Sequence, residues 1–401
     1  MSLLSERVQN VKPSPTLAVD AKAKAMKAAG EDIIGLAAGE PDFDTPEHIK
    51  QAAIEALNKG QTKYTAVPGI VELKDAIIDK FKRDNGLEYS RDEVIVSVGG
   101  KQALYNWCQA TIDPGDEVII PAPYWVSYPD MVALAGGTPV IVETTEEEGF
   151  LLSAEALEKA ITDRTRFVVI NSPSNPTGGA YTEAELQALG NVLLKHPQVW
   201  IITDDIYEKI VFDGFVFTAF PKAVPELKDR TIILNGVSKG YSMTGWRIGY
   251  CAGPAPVIKA MGIIQSQSTS NPTSIAQWGA VAAISGSQEC LKPMLEAFTE
   301  RCHYVVERFN TIDGLSVRMP QGAFYVYVNM DGVLNRKTPG GVTISSSMDF
   351  ADYLLESEGV AVVPGVAFGM DPYFRVSFAT SIDTLTEALN RIEKGIAKLE
   401  K

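Results

Sequence analysis

Two cations, Lys239 and Arg247, lie within the stretch NGVSKGYSMTGWRIGY (235–250), whose other residues are mostly small or apolar. A solvated surface would carry more charges than this, and a plain core would carry none. Burial among apolar neighbours disfavours the charged form of a lysine, so its amine becomes available as a nucleophile that forms Schiff bases with carbonyl groups. The fork of donors on an arginine matches a phosphate dianion. The stretch therefore favours a ligand that bears both a carbonyl group and a phosphate.

Two further features could complete a site for such a ligand. Gly99 and Gly100 precede a predicted helix, whose free backbone N–H groups and dipole favour a phosphate. Paired glycines also form tight turns, so a purely structural interpretation stays open. Trp125 offers a flat face on which a ring can stack, and its alternative place is the hydrophobic core.

A carboxylate and a phenol follow another apolar run. Asp204 comes just after VWII (199–202), where an ionised carboxylate needs a partner such as a protonated ring nitrogen. A capping role explains an aspartate at this position equally well. Tyr207, three residues later, could offer its hydroxyl to the same ligand. A phosphate, a ring, a partner for its nitrogen and an amine that reacts with an aldehyde together describe pyridoxal 5′-phosphate.

These residues follow short apolar runs that alternate with helical patterns. Runs rich in β-branched residues are typical of buried strands in a mostly parallel sheet with helices on both faces, so the predicted fold class is α/β. The runs are VIVSV (94–98), EVII (117–120), FVVI (167–170), VWII (199–202) and TIIL (231–234). Each run precedes a polar cluster, and ligands of open α/β sheets bind outside the carboxyl ends of the strands. The clusters are therefore expected to form one site.

Helices are predicted where apolar residues recur three or four positions apart. Ile49, Ala53, Ala56 and Leu57 form such a face. Thr45 precedes it as the expected N-cap, followed by a proline at the first helical position.

Composition excludes several other classes of function. The net charge of −14 argues against nucleic acid or an anionic membrane as the main partner. No apolar run approaches the ~18 residues of a membrane span, and the N-terminus lacks the unbroken apolar core of a signal peptide. A soluble, cytoplasmic protein is therefore expected. The 4 cysteines form no CxxC pair and the 3 histidines share no ligand spacing, so no disulfide framework and no metal site are expected.

Over nearly its whole length the chain resembles the class I aminotransferases of the fold-type I pyridoxal-phosphate enzymes. The motifs SNPTG (174–178), DDIYE (204–208), SKGYSMTGWRIGY (238–250) and FRVS (374–377) stand in the order and spacing of that family. AGEPDFDTP (38–46), VGGKQAL (98–104) and PYWVSYP (123–129) are most similar to the bacterial aspartate aminotransferase subgroup, some of whose members also accept prephenate. The resemblance implies a mostly parallel, seven-stranded-type sheet flanked by helices, with a smaller α/β domain beside it.

The resemblance also implies a role for each site residue. Lys239 would bind the cofactor covalently and move the reacting proton, and Asp204 would keep the ring nitrogen protonated. The rest of the cofactor would be surrounded by Gly99, Gly100, Lys101, Ser238 and Arg247 at the phosphate, Tyr207 and Asn175 at the phenolic oxygen, Trp125 against the ring, and Tyr64 from a partner subunit. The substrate would be bound by Arg375, Gly39, Asn175, Trp125, Lys101 and Lys12. From its local pattern alone, Arg375 is an exposed strand arginine.

One segment departs from the pattern of some aspartate aminotransferases, which bind the side-chain carboxylate of the substrate with an arginine of the partner subunit. The matching segment, QSQSTSNPTSI (265–275), contains no cation, and neither Arg nor Lys occurs from residue 260 to 291. Lys101 and Lys12 remain as candidates for that carboxylate. A lysine is a less demanding partner than a bidentate arginine, so a broader range of substrates is expected.

The predicted protein is a homodimer with shared active sites. A large domain (47–310) would hold the cofactor, and a small domain (1–46 and 311–401) would close over the substrate. The expected reaction moves the amino group of L-aspartate to 2-oxoglutarate by a ping-pong mechanism. Alternatives with the same fold and cofactor are a prephenate, aromatic or alanine aminotransferase and a β-eliminating C–S lyase. A nucleotide-binding dehydrogenase is not expected, because no GxGxxG motif follows the strand before Gly99.

Overall fold

The structure, a computed structural model, describes residues 3–9, 11 and 15–400. The helices are α1 (Glu6–Gln9), α2 (Pro15–Ala28), α3 (Glu47–Asn58), α4 (Val71–Lys80), α5 (Gly99–Thr111), α6 (Ser127–Ala135), α7 (Ala154–Ala160), α8 (Glu183–Leu193), α9 (Phe220–Ala223), α10 (Ala255–Ser266), α11 (Ser274–Ser285), α12 (Leu291–Phe309), α13 (Ser347–Glu358) and α14 (Ile382–Ala397). The strands are β1 (Ile34–Gly35), β2 (Val94–Ser97), β3 (Glu117–Ala122), β4 (Thr138–Glu143), β5 (Thr165–Asn171), β6 (Trp200–Asp204), β7 (Thr231–Gly236), β8 (Gly249–Ala252), β9 (Tyr325–Asn329), β10 (Val360–Ala361), β11 (Val363–Pro364) and β12 (Tyr373–Ser377). A π-helical turn spans Phe81–Asn85, and short 3₁₀ helices span Arg91–Glu93, Pro225–Arg230, Thr244–Trp246, Gln288–Cys290, Asp331–Val333 and Gly365–Phe368.

A 7-stranded sheet in the order β2-β8-β7-β6-β5-β3-β4 forms the centre of the molecule. The pairs from β7 to β4 are parallel, whereas β8 runs antiparallel to both of its neighbours. The predicted α/β class and the mostly parallel sheet are therefore confirmed. The apolar runs of the sequence all lie in strands of this sheet, while β4 and the antiparallel β8 were not predicted.

The sheet brings the predicted polar clusters to one edge. Because β2 and β7 both pair antiparallel with β8, these two strands point in the same direction. Strands β3, β5 and β6 share that direction through their parallel pairing with β7 and with one another. The carboxyl ends of all the strands that precede a polar cluster therefore meet at the same edge, as a ligand site of an open α/β sheet requires.

The helices agree with the sequence in position and differ in detail. Gly99 begins α5, as predicted. In α3 the predicted apolar face is incomplete, because Leu57 is 52% exposed. The Thr45 N-cap was also wrong: Pro46 caps α3, and the Thr45 hydroxyl donates to the Ser242 carbonyl at 2.6 Å. That bond ties the segment before α3 to the loop after Lys239. In the ranges described, no helix is long and apolar enough to cross a bilayer.

Two smaller sheets join the N-terminal segment to the C-terminal third of the chain. Strands β11, β12 and β9 form an antiparallel sheet, and β1 pairs in parallel with β10. The Ser377 backbone N–H, at the end of β12, donates to the Leu36 carbonyl at 2.9 Å. The division into domains 47–310 and 1–46 with 311–401 stays a prediction.

Candidate active site

A cavity of about 430 Å³ opens at this edge of the central sheet. Its lining includes the predicted residues Gly39, Gly100, Lys101, Trp125, Asn175, Asp204, Tyr207, Ser238, Lys239, Arg247 and Arg375. It also includes residues that were not predicted, among them Tyr128, Asn171 and Tyr325. The strand ends and the distant FRVS motif therefore contribute side chains to one cavity.

Lys239 lies in the loop that follows β7 and points its amine into the cavity. Its Nζ donates to the carbonyl of Gly39. Burial, together with the positive charge of Arg375, lowers the pKa of Lys239 to about 8. This direction agrees with the expectation from the sequence. About a tenth of this amine is therefore uncharged at pH 7, far more than for an ordinary lysine, and can act as a nucleophile.

Asp204 ends β6 and is 7% exposed. Its Oδ2 accepts a hydrogen bond from the Tyr128 hydroxyl at 2.7 Å, and its Oδ1 accepts from the Ile206 backbone N–H at 3.3 Å. Burial raises the pKa of Asp204 to about 6, while both hydrogen bonds act in the opposite direction. The long hydrogen bond from Ile206 is a local capping contact of the kind that the sequence allowed for Asp204. The other carboxylate oxygen, Oδ2, is bound by the Tyr128 hydroxyl instead.

Arg375 lies on β12 and is 3% exposed, so the interpretation as an exposed strand arginine was wrong. Its Nη1 donates to Asn175 Oδ1 at 2.8 Å, and its Nη2 donates to the Ala37 carbonyl at 2.6 Å. The guanidinium carbon lies 4.4 Å from the centre of the Tyr325 ring. All of these partners are neutral. The guanidinium therefore remains a buried cation that a carboxylate in the cavity could neutralise.

Tyr207 is a buried phenol whose hydroxyl lies 2.9 Å from that of Tyr325. The Tyr325 hydroxyl also approaches the backbone of Gly39 closely, since a Cβ at that glycine would lie 3.0 Å from it. The hydroxyl groups of Tyr207 and Tyr325 thus line the wall of the cavity next to Gly39, whose carbonyl accepts the hydrogen bond from Lys239.

Arg247 and Gly99 fit against each other beside the cavity. Gly99 has φ +80°, and a Cβ there would lie 2.2 Å from Arg247 Nη2, so only glycine leaves room for the guanidinium. Gly99 itself does not line the cavity. Arg247 is in the left-handed region at φ 56°, and its Nη1 donates to the Thr244 carbonyl at 2.7 Å. Such a conformation is costly for a residue other than glycine, and it concentrates at functional sites.

Lys101 and Trp125 meet above the cavity. The Lys101 Nζ lies 4.9 Å from the centre of the Trp125 ring. Burial, followed by the nearby charge of Arg247, lowers the pKa of Lys101. The Trp125 ring meets Tyr128 edge to face at 5.3 Å, so the hydrophobic-core and cavity interpretations of this tryptophan both apply in part.

Of the predicted residues that the structure describes, Gly99 and Tyr64 do not line the cavity. Tyr64 is 90% exposed and lies outside the lining. Lys12 lies outside the described residues.

Asn171, Tyr128 and Tyr325 are among the polar lining residues that were missed from the sequence. Asn171 ends β5, where the rule of strand ends could have found it; its amide donates to the Asp204 carbonyl at 2.8 Å. Tyr128 follows Trp125 by three positions, the spacing of one helical face, and this was a usable signal. Tyr325 begins the buried strand β9, and nothing in its local sequence distinguishes it from a core residue.

The comparisons with known proteins agree with this geometry. The family model "Aminotransferase class I and II" matches residues 31–392. The chain is 58% identical over 399 residues to an aspartate/prephenate aminotransferase of Cereibacter sphaeroides, with 100% of each chain covered. It is 58% identical to another of that name from Nitrosomonas europaea, covering 97% of this chain and 98% of the relative.

Solved structures give the same picture. The aspartate aminotransferase of Rhizobium meliloti superposes with a TM-score of 0.97 at 52% identity, with 100% of both chains covered. An aspartate aminotransferase of Thermus thermophilus, solved with maleate, superposes with a TM-score of 0.92 at 44% identity and covers 98% of this chain and 100% of that one.

Proposed function

The chain belongs to the aminotransferase class I and II family and is a transaminase, and we propose that it uses pyridoxal 5′-phosphate to move the amino group of L-aspartate to 2-oxoglutarate. The observation that carries this proposal is that one cavity contains the amine of Lys239, with its lowered pKa, and the buried cation Arg375. The names of the relatives supply aspartate as the donor.

The residues of the cavity fit this cofactor. Lys239 supplies an amine for its aldehyde, and Asp204 supplies a buried carboxylate for its ring nitrogen. The cationic Arg247 lines the same cavity beside Ser238 and Gly100, a donor set that suits a phosphate. When bound, pyridoxal 5′-phosphate supplies an electron sink that stabilises negative charge at the α-carbon of the amino acid.

The protein side chains would do the remaining work. Lys239 would attach the cofactor and later move the proton at the α-carbon. Tyr207 and Asn175 would donate to the phenolic oxygen of the ring, since the Asn175 oxygen is already used by Arg375 and leaves its amide nitrogen as a donor. Trp125 would stack on the ring, and Lys101 and Gly99 would support the phosphate side. A substrate carboxylate would form a bidentate pair with Arg375, assisted by the backbone of Gly39.

The second carboxylate of a dicarboxylic substrate needs another cation. Lys101 and Lys24 both line the cavity, and Lys24 is already paired with Asp20 at 2.7 Å. Lys101 is therefore the candidate among the described residues, while Lys12 stays a prediction outside them. The Thermus thermophilus relative was solved with maleate, which is a dicarboxylate. Prephenate is the second candidate substrate, as amino acceptor, because the most similar relatives include aspartate/prephenate aminotransferases.

The active unit is proposed to be a homodimer in the cytoplasm. Tyr64 is 90% exposed, as a residue would be that reaches the active site of a partner subunit. Closure of the predicted small domain (1–46 and 311–401) on the large domain (47–310) would move Arg375 and Gly39 towards the substrate and exclude water.

Absorbance spectroscopy tests the proposal. The purified protein with pyridoxal 5′-phosphate is expected to show a visible band that bleaches with L-aspartate and returns with 2-oxoglutarate or prephenate. The Lys239→Met variant is the control and should lack the band. Absence of the band in the native protein would refute the cofactor. Bleaching by alanine or aromatic amino acids alone would refute aspartate, and release of ammonia and pyruvate without an acceptor would indicate a C–S lyase.

A further inference from the structure

Tyr128 is buried on α6 at the wall of the cavity and makes one strong polar contact. Its hydroxyl donates to Asp204 Oδ2 at 2.7 Å, within the range of charge-assisted hydrogen bonds. The tyrosine is 3% exposed, and burial beside Asp204 raises its pKa well above the ordinary value, so it stays a proton donor. The contact therefore stabilises the ionised form of Asp204.

The position of this hydroxyl is fixed from several sides. The Tyr128 ring meets the Trp125 ring edge to face at 5.3 Å with an interplanar angle of 83°, and the two residues are joined by a backbone hydrogen bond of 3.0 Å. The carbonyl of Asp204 is held separately by the Asn171 amide at 2.8 Å. The hydroxyl and the carboxylate thus approach each other on two rigid elements, α6 and the end of β6.

Small changes at Asp204 can decide whether its carboxyl or a neighbouring ring nitrogen holds a shared proton. Burial brings the pKa of its carboxyl to about 6, even with the Tyr128 hydrogen bond acting to lower it. A pyridine nitrogen is a base of similar strength. Small differences in basicity between the nitrogen and the carboxylate therefore decide which of the two holds a shared proton. Any contact that makes the carboxylate less basic moves the shared proton towards the ring.

We propose that Tyr128 is a positioning residue for the proposed cofactor, whose hydroxyl holds Asp204 as a carboxylate so that the shared proton stays on the ring nitrogen. This inference rests on the proposed function, because it presupposes a bound pyridine ring. In this role Tyr128 acts through Asp204.

The test compares Tyr128→Phe with Tyr181→Phe. Tyr181 is also 3% exposed, and its hydroxyl accepts from the Leu152 N–H at 2.8 Å, so its loss removes a buried hydroxyl contact that does not involve Asp204. Each protein is loaded with pyridoxal 5′-phosphate that carries ¹⁵N in its ring. The ¹⁵N chemical shift reports the protonation of the ring nitrogen, which a merely structural role of Tyr128 would leave unchanged.

In Tyr128→Phe, the ¹⁵N resonance is expected to move from the protonated towards the unprotonated position. The dissociation constant for the cofactor should rise by about 10-fold, the effect of one hydrogen bond to a charged group. The kcat should fall more than the KM for the amino acid changes. Tyr181→Phe should keep the native resonance, and an unchanged resonance in Tyr128→Phe, or an equal shift in Tyr181→Phe, would overturn the inference.

A second pair of variants guards against a folding defect. In the Asp204→Asn background, adding Tyr128→Phe should change neither the resonance nor the dissociation constant, because the group through which Tyr128 acts is gone. Equal effects of Tyr128→Phe in both backgrounds would overturn the inference and leave the proposed function intact. Failure of the native protein to bind the cofactor at all would overturn both.

Discussion

Two buried clusters of polar side chains each contain a carboxylate from the end of strand β6 or just after it, and they differ in how their charges are paired. The cavity cluster consists of Asp204, Lys239, Arg375 and Asn175, which all line the cavity. The ion cluster consists of Lys80, Asn85 and Glu208, and none of these lines it. Glu208 follows Asp204 by only four residues.

The ion cluster is closed on itself. Lys80 pairs with Glu208 Oε1 and donates to Asn85 Oδ1 at 2.8 Å, and Asn85 Nδ2 donates to Glu208 Oε2 at 3.1 Å. The side chains of Lys80 and Glu208 are 2% and 5% exposed. Each polar group of the cluster has its partner within the protein, so the cluster needs no ligand. Its consequence is to fix the segment after β6, which carries Tyr207, against the π-helical turn at Phe81–Asn85.

In the cavity cluster neither Lys239 nor Arg375 is paired directly with a carboxylate. Lys239 donates to a carbonyl, and Arg375 donates to a carbonyl and an amide oxygen. In the part of the chain that the structure describes, neither forms an ion pair with a carboxylate. Unpaired buried charges are costly, and their persistence beside a cavity marks a place where a ligand supplies the missing charge. The comparison therefore distinguishes a binding site from a structural ion pair without reference to any relative.

The largest difference between the two clusters is expected when Lys239 and Lys80 are each replaced by methionine. Lys239→Met should lower kcat/KM for transamination on the order of 10⁴-fold or more, because the nucleophile is lost. Its melting temperature as apoprotein should equal or exceed that of the native apoprotein, since a cation without an ionic partner has been removed. Steady-state kinetics and thermal unfolding measure the two effects. Destabilisation of several kcal/mol would contradict the view that the Lys239 charge lacks a partner.

Lys80→Met should show the reverse pattern. It leaves Glu208 as an uncompensated buried carboxylate beside Asp205, whose pKa burial and the charge of Glu208 already raise. The free energy of unfolding should fall by about 3–5 kcal/mol, while the folded fraction still binds pyridoxal 5′-phosphate. Thermal unfolding and the visible absorbance band are the measurements. The double variant Lys80→Met/Glu208→Gln is the control and should regain most of the loss; if it does not, the pairing is not what stabilises the segment.

The sequence predicted one cluster and missed the other for a physical reason. Runs of β-branched apolar residues indicate buried strands, and the polar residues that follow them, such as Asp204 and Lys239, are expected at one edge. Burial of Arg375 could not be predicted in this way, because its hydrogen bond to Ala37 joins residues 338 positions apart. The Lys80–Glu208 pair and the antiparallel β8 likewise depend on which distant segments meet. Periodicity describes one element at a time and carries no information about such contacts.

Two arginines extend the comparison to substrate binding. Arg375→Lys should lower kcat/KM for L-aspartate by about 10²-fold, because a lysine cannot form the bidentate pair with a carboxylate. Arg301→Lys is the matched control, since Arg301 already has its anion: its Nη1 and Nη2 donate to Asp42 at 2.7 and 3.0 Å. It should change kcat/KM little and reduce mainly thermal stability. Comparable losses of kcat/KM in both variants would remove the distinction between the two arginines.

The pH dependence of cofactor attachment tests whether the Lys239 ammonium lacks an ionic partner, and it is the smallest of the expected effects. Attachment requires the free amine of Lys239, whose pKa is lowered to about 8 from the ordinary 10.5. The rate at which the apoprotein gains its visible band with pyridoxal 5′-phosphate should therefore rise about 10-fold per pH unit below pH 8 and level off above it. Stopped-flow absorbance measures this rate, and the same series with free N-acetyl-lysine corrects for titration of the cofactor. Because the charge of Arg375 helps to lower this pKa, Arg375→Met should move the midpoint upwards and slow attachment at pH 7, whereas Arg375→Lys, which keeps the charge, should not. A native midpoint near 10.5 would mean that the Lys239 ammonium is compensated after all, as the Lys80 ammonium is in the ion cluster.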